Sequence, residues 1–251
     1  REDEDLSKAD REMMFSIAKT YDLYHYLMLL AIEIADIAEE KIEQALRKNV
    51  PSWEDLNPDR RFVENTVISQ LRENDSLKKH VSSAKLSWAN YPHIPRTLYN
   101  RMIAWEPYIA YMKSETKGYA ADKTFIIRLI TELFAGSEDL AACLEEQSIY
   151  WNDDMEYVIA MLEKTIRKFR ADSGSRAELM PLFKNAEDEE FVKVLFRKAV
   201  LNTKEYSGLI DRNTTNWEVD RIALMDILVM QLAITEVIQF PEIPVKVTLN
   251  E

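Results

Sequence analysis

Residues 216–251 of the chain read NWEVDRIALMDILVMQLAITEVIQFPEIPVKVTLNE and contain a long, mostly apolar run. Apolar side chains recur along this run at the spacing of one helix face: Ile222, Met225, Val229, Leu232, Ala233 and Val237. Further apolar residues fill the other faces: Ile227, Leu228, Met230 and Ile234. A helix that is apolar nearly all round is typical of the centre of a bundle, so we predict that Leu228 and Leu232 are buried.

Short-range signals mark both ends of this helix. Asn216 is a predicted N-cap, and Asp220 places a negative charge near the first turn. Pro241 and Pro244 end the helix and force an extended connector, because proline lacks an amide hydrogen and restricts the residue before it.

The last four residues predict the start of another helix. Thr248 is followed three residues later by Glu251, which is the spacing of a capping box. The chain also begins with Arg1 rather than with Met. We therefore expect these residues to be a piece of a longer protein, truncated at both ends.

Composition favours an all-α globular protein. The chain has 251 residues, of which 47% are hydrophobic and 30% charged, and this is enough for a sizeable core. Only 4 residues are glycine, which argues against glycine-rich phosphate loops and against many tight hairpins. We find no strand pattern, no fixed repeat and no low-complexity tract.

Helical spacing recurs through most of the chain. A long helix is predicted over residues 9–47, started by Ser7 and Asp10 as a capping box. The shorter predicted helices are 62–71, 77–88, 97–112 with a break at Pro107, 121–134, 138–149, 155–169, 191–201 and 204–210. Residues 172–181 are interpreted as the loop between two halves.

The sequence predicts a protein of a reducing compartment, without a membrane span. Cys143 is the single cysteine, so there is no internal disulfide framework. Residues 21–38 come nearest to a membrane span, but they include Asp22, Glu33 and Asp36. We expect a cytoplasmic protein.

No motif for catalysis or for a cofactor is found. His25, His80 and His93 are far apart in sequence, so we interpret them as surface or core histidines rather than metal ligands. Cys143 lies on an apolar helix face and is predicted to be a small buried hydrophobe. We predict no enzymatic activity, no catalytic residue, no cofactor and no metal.

Charge argues for a partner rather than for direct nucleic-acid binding. The net charge is −12, which opposes contact with phosphates and suits a basic partner. Basic residues nevertheless cluster twice. The first group, which is interpreted as complementing a helix dipole, is Lys164, Arg167, Lys168 and Arg170. The second, for which a surface facing RNA or a partner is an equal alternative, is Lys193, Arg197 and Lys198.

The C-terminal stretch resembles the C-terminal half of the NusB family of transcription antitermination factors. The order and spacing of twelve residues carry the resemblance: Trp217, Arg221, Asp226, Leu232, Ala233, Glu236, Pro244, Val245, Val247, Leu249, Asn250 and Glu251. It extends weakly back through residues 191–210, where Asn202 and Leu209 fit. The preceding residues resemble the large helical extension of NusB-like proteins of the Bacteroidetes type.

The resemblance implies a NusB-like helical core in residues 187–251, preceded by a helical extension in residues 1–186. It implies binding of boxA-type RNA together with the ribosomal protein NusE, within the transcription elongation complex that makes ribosomal RNA. The residues that would face RNA or the partner are Arg197, Lys198, Arg221 and Asp226. For Arg221 and Asp226, pairing between helices is an equal alternative.

Two features depart from the family pattern. The family often has Arg where this chain has Gln231, and we expect its basic N-terminal arm to be missing from these residues. Two alternatives therefore stay open: a helical protein-interaction module without an RNA role, and the NusB-like RNA-binding module of an RNA cytosine methyltransferase.

Overall fold

The computed structural model of the protein describes residues 2–213 and 223–250. The described residues form thirteen α-helices and no strand, so the all-α prediction is confirmed. The helices are α1 Glu2–Leu46, α2 Trp53–Leu56, α3 Thr66–Glu73, α4 Asp75–Ala84, α5 His93–Ile103, α6 Glu106–Lys113, α7 Tyr119–Arg128, α8 Glu138–Gln147, α9 Asp154–Lys168, α10 Ala186–Leu201, α11 Thr203–Asn213, α12 Leu224–Gln239 and α13 Val245–Thr248. Within the described ranges, no helix is both long enough and apolar enough to cross a membrane.

The chain forms two compact units. One contains residues 16–180, and the other contains residues 1–15 together with residues 181–251. The division inferred from the sequence, with an extension over 1–186 and a NusB-like core over 187–251, stays a prediction.

The core of the 16–180 unit is built on the middle of α1. Leu23, Leu27 and Ile34 have no exposed surface, and burial continues on every face between Leu23 and Ala35. Few polar residues interrupt this stretch, so helices can pack all around it. The ring of Tyr26 stacks on that of Trp88 with centroids 3.9 Å apart. The middle of α1 is therefore enclosed on all sides by the other helices of this unit.

Polar side chains in this core act as helix caps. The amide oxygen of Asn65 accepts from the backbone amides of Val67 and Ile68 at the start of α3. Asn74 caps α4 in the same way, and its amide donates to the carbonyl oxygen of Ala177 at 2.7 Å. Because both asparagines are almost fully buried, these bonds satisfy groups that water cannot reach.

Several predicted helix boundaries shift. The long helix begins at Glu2, so Ser7 lies inside α1 and does not cap it. The break predicted at Pro107 lies at residues 104–105 instead: α5 ends at Ile103, α6 begins at Glu106, and Pro107 belongs to the first turn of α6. The chain after α7 continues as a π-helical turn over Leu129–Phe134.

In the second unit, α12 packs against α10 and α11, but its buried face is not the apolar one. Leu228 and Leu232 are each 42% exposed, so the prediction that they are buried is wrong. The buried residues of α12 are Gln231 and Thr235. The predicted start of this helix, at Asn216 and Asp220, lies outside the described residues.

Thr248 is the last residue of α13, and its hydroxyl donates to Glu236 at 2.6 Å. A hydroxyl that donates can still accept from a backbone amide, so the predicted capping box of Thr248 and Glu251 stays a prediction. Glu251 lies outside the described residues.

Candidate nucleic-acid and partner interface

The candidate basic surface lies on α10. Asn185 caps this helix by accepting from the backbone amide of Asp188 at 2.8 Å, and acidic residues fill the first turn. Both features stabilise the N-terminal end, where the helix dipole is positive. The helix then carries Lys193 and Arg197 four residues apart, which places them on one face, with Lys198 next to Arg197.

Each of these three cations has a partner within the protein. Lys193 pairs with Glu189 at 2.5 Å, one helical turn away. Arg197 pairs with Asp10 of α1, and the ammonium group of Lys198 donates to the side-chain oxygen of Gln239 at 2.6 Å. The basic face of α10 is thus held in place by one short-range and two long-range contacts.

The candidate site residues do not form one compact cluster. Asp226 is exposed in the first turn of α12, whereas Lys198 contacts Gln239 in the last turn. Thirteen residues of helix separate the two ends, which is about 20 Å at 1.5 Å per residue. Arg221, like Trp217, lies outside the described residues. A ligand would need an extended shape to touch both Lys198 and Asp226.

A polar stripe joins α12 to its neighbours. The amide of Gln231 donates to the hydroxyl of Ser207 at 2.8 Å, and the amide of Gln239 donates to the hydroxyl of Tyr206 at 3.3 Å. Thr235 lies between them and is fully buried. The position where the family often has Arg thus carries a buried amide that holds α11 and α12 together.

The apolar side of α12 faces solvent. Its most exposed members are Leu224 at 70%, Met225 at 67% and Val229 at 60%. Beside it lies an apolar groove of about 510 Å³. The groove is lined by Leu209, Ile210, Asn213, Met230, Ala233, Ile234, Val237, Ile238 and Leu249. A surface of this kind is typical of a site for another apolar surface.

The first basic cluster is largely paired within the protein. Arg167 contacts Glu163 at 2.6 Å in the last turns of α9, and Arg170 contacts Asp172 at 3.3 Å. These pairs lie near the carboxyl end of α9, and the interpretation that the cations complement the helix dipole stays a prediction.

Two of the three histidines meet in the fold. The rings of His25 and His80 stack with centroids 3.8 Å apart, and His80 lies 2.8 Å from a carboxylate oxygen of Asp22. Burial lowers the pKa of His25 to about 4, and the ring is neutral at physiological pH. No group of three or more potential ligands that could hold a metal ion occurs among the described residues.

Cys143 is buried and free of disulfide bonding, as predicted. Its sulfur accepts from the amide of Gln147 one helical turn away, and burial raises the pKa of the thiol. A buried thiol of raised pKa is a poor nucleophile.

Comparison with known proteins identifies the class of domain. Residues 155–251 match the model of the NusB family. The match begins in α9 and runs through α10, α11 and α12, so it includes the basic face of α10. The resemblance found in the sequence is confirmed for this part of the chain, which matches the family model.

The curated relatives share one description. The transcription antitermination protein NusB of Salinibacter ruber is 33% identical over 72 residues, or 29% of this chain and 45% of the relative. That of Alkaliphilus oremlandii is 31% identical over 65 residues, or 26% and 47%. That of Desulforapulum autotrophicum is 37% identical over 90 residues, or 33% and 63%. No solved structure matches the chain.

The chain thus spans about half the length of the curated relatives it matches. These relatives are named for a role in transcription and not for a reaction. Residues 1–154, which include all of α1–α8, lie outside the family match.

Proposed function

We propose that the protein is an RNA-binding transcription antitermination factor. It acts with the ribosomal protein NusE on boxA-type RNA during transcription of ribosomal RNA, as part of the elongation complex. The observation that carries this proposal is the match of residues 155–251 to the NusB family, together with relatives named as antitermination proteins.

The charge of the chain defines how it would bind. With a net charge of −12, the protein attracts a basic protein more readily than a polyanion. A basic partner bound to the acidic surface would supply the attraction to RNA phosphates that this chain lacks. Sequence preference would come from unstacked bases that meet side chains in a groove. We place the phosphate contacts at Arg197 and Lys198, with Arg221 as a further candidate. Asp226, which is negatively charged, is a candidate contact to an RNA base or to the basic partner.

Titration of labelled single-stranded RNA tests the proposal. The chain, with and without NusE protein, is titrated against boxA-type and scrambled RNA at physiological salt. We expect weak binding by the chain alone and tighter binding of boxA RNA with NusE present. Equal affinity for both RNAs in the presence of NusE would exclude the antitermination role.

A matched variant locates the contact. Lys198→Ala removes a cation of α10, and Lys204→Ala removes an exposed cation of α11. Both change the net charge equally. The salt dependence is the slope of the logarithm of the binding constant against the logarithm of the salt concentration. We expect Lys198→Ala to make this slope shallower by about 0.7, the value of one phosphate contact to a single strand. Lys204→Ala should leave the slope unchanged.

The exposed apolar face of α12 favours a second candidate function. In that alternative the protein is a helical interaction module that takes an amphipathic helix of a basic partner, without a role for RNA. The groove supplies the apolar contact, and the net negative charge selects a basic partner. Val229→Lys, on the exposed apolar face, would then abolish binding of NusE. Neither boxA-type nor scrambled RNA would increase the affinity of the wild-type chain for NusE.

A further inference from the structure

The contact between Asp10 and Arg197 joins the family-matched region to a residue outside it. Arg197 belongs to α10, and Asp10 lies 187 positions earlier, in α1. The Nε and Nη2 atoms of Arg197 donate to Oδ2 of Asp10 at 2.6 Å and 2.5 Å. The side chain of Asp10 is 11% exposed, whereas that of Arg197 is 50% exposed. A buried carboxylate therefore holds a guanidinium that is half in solvent.

The geometry of this pair leaves donors of Arg197 for another ligand. A guanidinium has five N–H groups, and two of them serve the Asp10 contact, so about three remain. The remaining N–H groups include those of the guanidinium edge that, in other proteins, binds a phosphate through two parallel hydrogen bonds. With Nε and Nη2 fixed, rotation of the planar group is restricted, and that edge has one orientation.

The pair is poorly arranged for stability alone. Both donors reach the same oxygen of Asp10, and the second oxygen, Oδ1, is buried without a hydrogen-bond partner among the described residues. Burying a carboxylate carries a desolvation cost that a one-sided contact offsets incompletely. Lys193, on the same face of α10, pairs with Glu189 of its own helix. Of these two cations, Arg197 is the one that pairs with a carboxylate of α1.

We propose that Asp10 is a positioning residue that presents Arg197 to an RNA phosphate. The inference rests on the proposed function, and it adds that a residue outside the family-matched region completes the RNA surface. The alternative is that Asp10 only neutralises the positive charge of Arg197 and so competes with the RNA phosphate. The two differ in sign: loss of the Asp10 charge weakens RNA binding if Asp10 positions Arg197, and strengthens it if Asp10 merely competes.

The experiment uses the whole chain with NusE protein and labelled boxA-type RNA over a series of salt concentrations. Asp10→Asn removes one negative charge and keeps the side-chain shape. Glu189→Gln is the matched control, because it removes one negative charge that pairs with Lys193 on the same face of α10. Arg197→Ala tests the contact itself. Circular dichroism checks that each variant is folded.

We expect Arg197→Ala to weaken boxA binding about tenfold and to reduce the salt slope by about 0.7, the value of one phosphate contact. Asp10→Asn should weaken binding several-fold although the protein becomes less acidic. Glu189→Gln should leave binding unchanged or slightly tighter. If Asp10→Asn does not fold, Arg197→Lys replaces it: it keeps the charge, lacks the fork, and should weaken binding.

The outcomes separate the two proposals. Binding by Asp10→Asn that equals or exceeds that of Glu189→Gln would reject the positioning role and leave RNA binding intact. If Arg197→Ala binds boxA RNA as tightly as the wild type, the positioning role is likewise rejected. If the wild-type chain with NusE does not distinguish boxA from scrambled RNA, the proposed function fails and the positioning role falls with it.

Discussion

The side-chain amide of Gln231 donates to the hydroxyl of Ser207 at 2.8 Å, so α12 meets α11 through a polar contact. Gln231, Thr235 and Gln239 recur every fourth residue and form one stripe along α12. Gln231 and Thr235 are buried, whereas Leu228 and Leu232 on the same helix are each 42% exposed. This arrangement reverses the orientation that hydrophobicity alone predicts for α12.

The first prediction compares two neighbouring positions of α12. Gln231→Ala removes a buried hydrogen bond and should lower the free energy of unfolding by about 1–3 kcal/mol. Leu232→Ala, at a position that is 42% exposed, should lower it by about 1 kcal/mol or less. Urea unfolding followed by circular dichroism measures both. A larger loss for Leu232→Ala would show that the apolar face of α12 is buried in solution.

The second prediction concerns the middle of α1. Leu27 has no exposed surface in the core of the 16–180 unit. Leu27→Ala should lower the free energy of unfolding by about 2–5 kcal/mol, because it removes buried methyl groups and leaves a cavity. Leu56→Ala, at a 56% exposed position of α2, is the control. Similar thermal midpoints for the two variants would contradict the central position of α1.

The third prediction concerns the buried carboxylate of Asp122. Its oxygens accept from the backbone amide of Thr66 at 2.9 Å, from the hydroxyl of Thr66 and from the hydroxyl of Tyr111, both at 2.7 Å. Asp122→Ala strands these donors and should lower the free energy of unfolding by about 3 kcal/mol or more. Asp122→Asn, which can still accept from Thr66, should lower it less. Equal losses for the two variants would mean that these bonds do not stabilise the fold.

The fourth prediction is a pH dependence of stability that depends on His25. Burial lowers the pKa of this histidine to about 4, from 6.5 in an unfolded chain. The stacked His80 lowers it further, while the carbonyl oxygen of Tyr21 and the charge of Asp22 oppose the shift. Between pH 6.5 and 4 the unfolded chain binds a proton that the native protein does not. The contribution of His25 to the free energy of unfolding is therefore complete above pH 6.5. It falls by about 3 kcal/mol as the pH drops to 4.

Two variants test that dependence by urea unfolding between pH 4 and 7. His25→Phe keeps an aromatic ring but cannot titrate, so its stability should depend less on pH in this range. His93→Gln replaces an exposed histidine and should behave as the wild type. If His25→Phe keeps the wild-type slope, burial of His25 does not control the acid sensitivity of the fold.

Local signals in the sequence determined the fold class and many of the helix boundaries. Scarce glycine and helical spacing predicted the all-α fold. A helix was predicted over residues 138–149, and α8 does begin at Glu138, where Ser137 caps it by accepting from the amide of Leu140. Caps and prolines act within a few residues, so their effect is readable without a structure. The resemblance to NusB is also local, because it depends on the order and spacing of residues 217–251.

Only the tertiary structure decided which faces are buried and which charges pair. When apolar residues occupy nearly every side of a helix, the sequence does not show which side will be buried. In α12 the buried side is the polar stripe, because its residues bond to α10 and α11. Asp10 was read as part of a capping box, but its partner is Arg197, 187 positions away. His25 and His80 likewise meet only because α1 and α4 pack together. Pairing across such distances depends on how helices pack, and short-range sequence patterns carry no record of it.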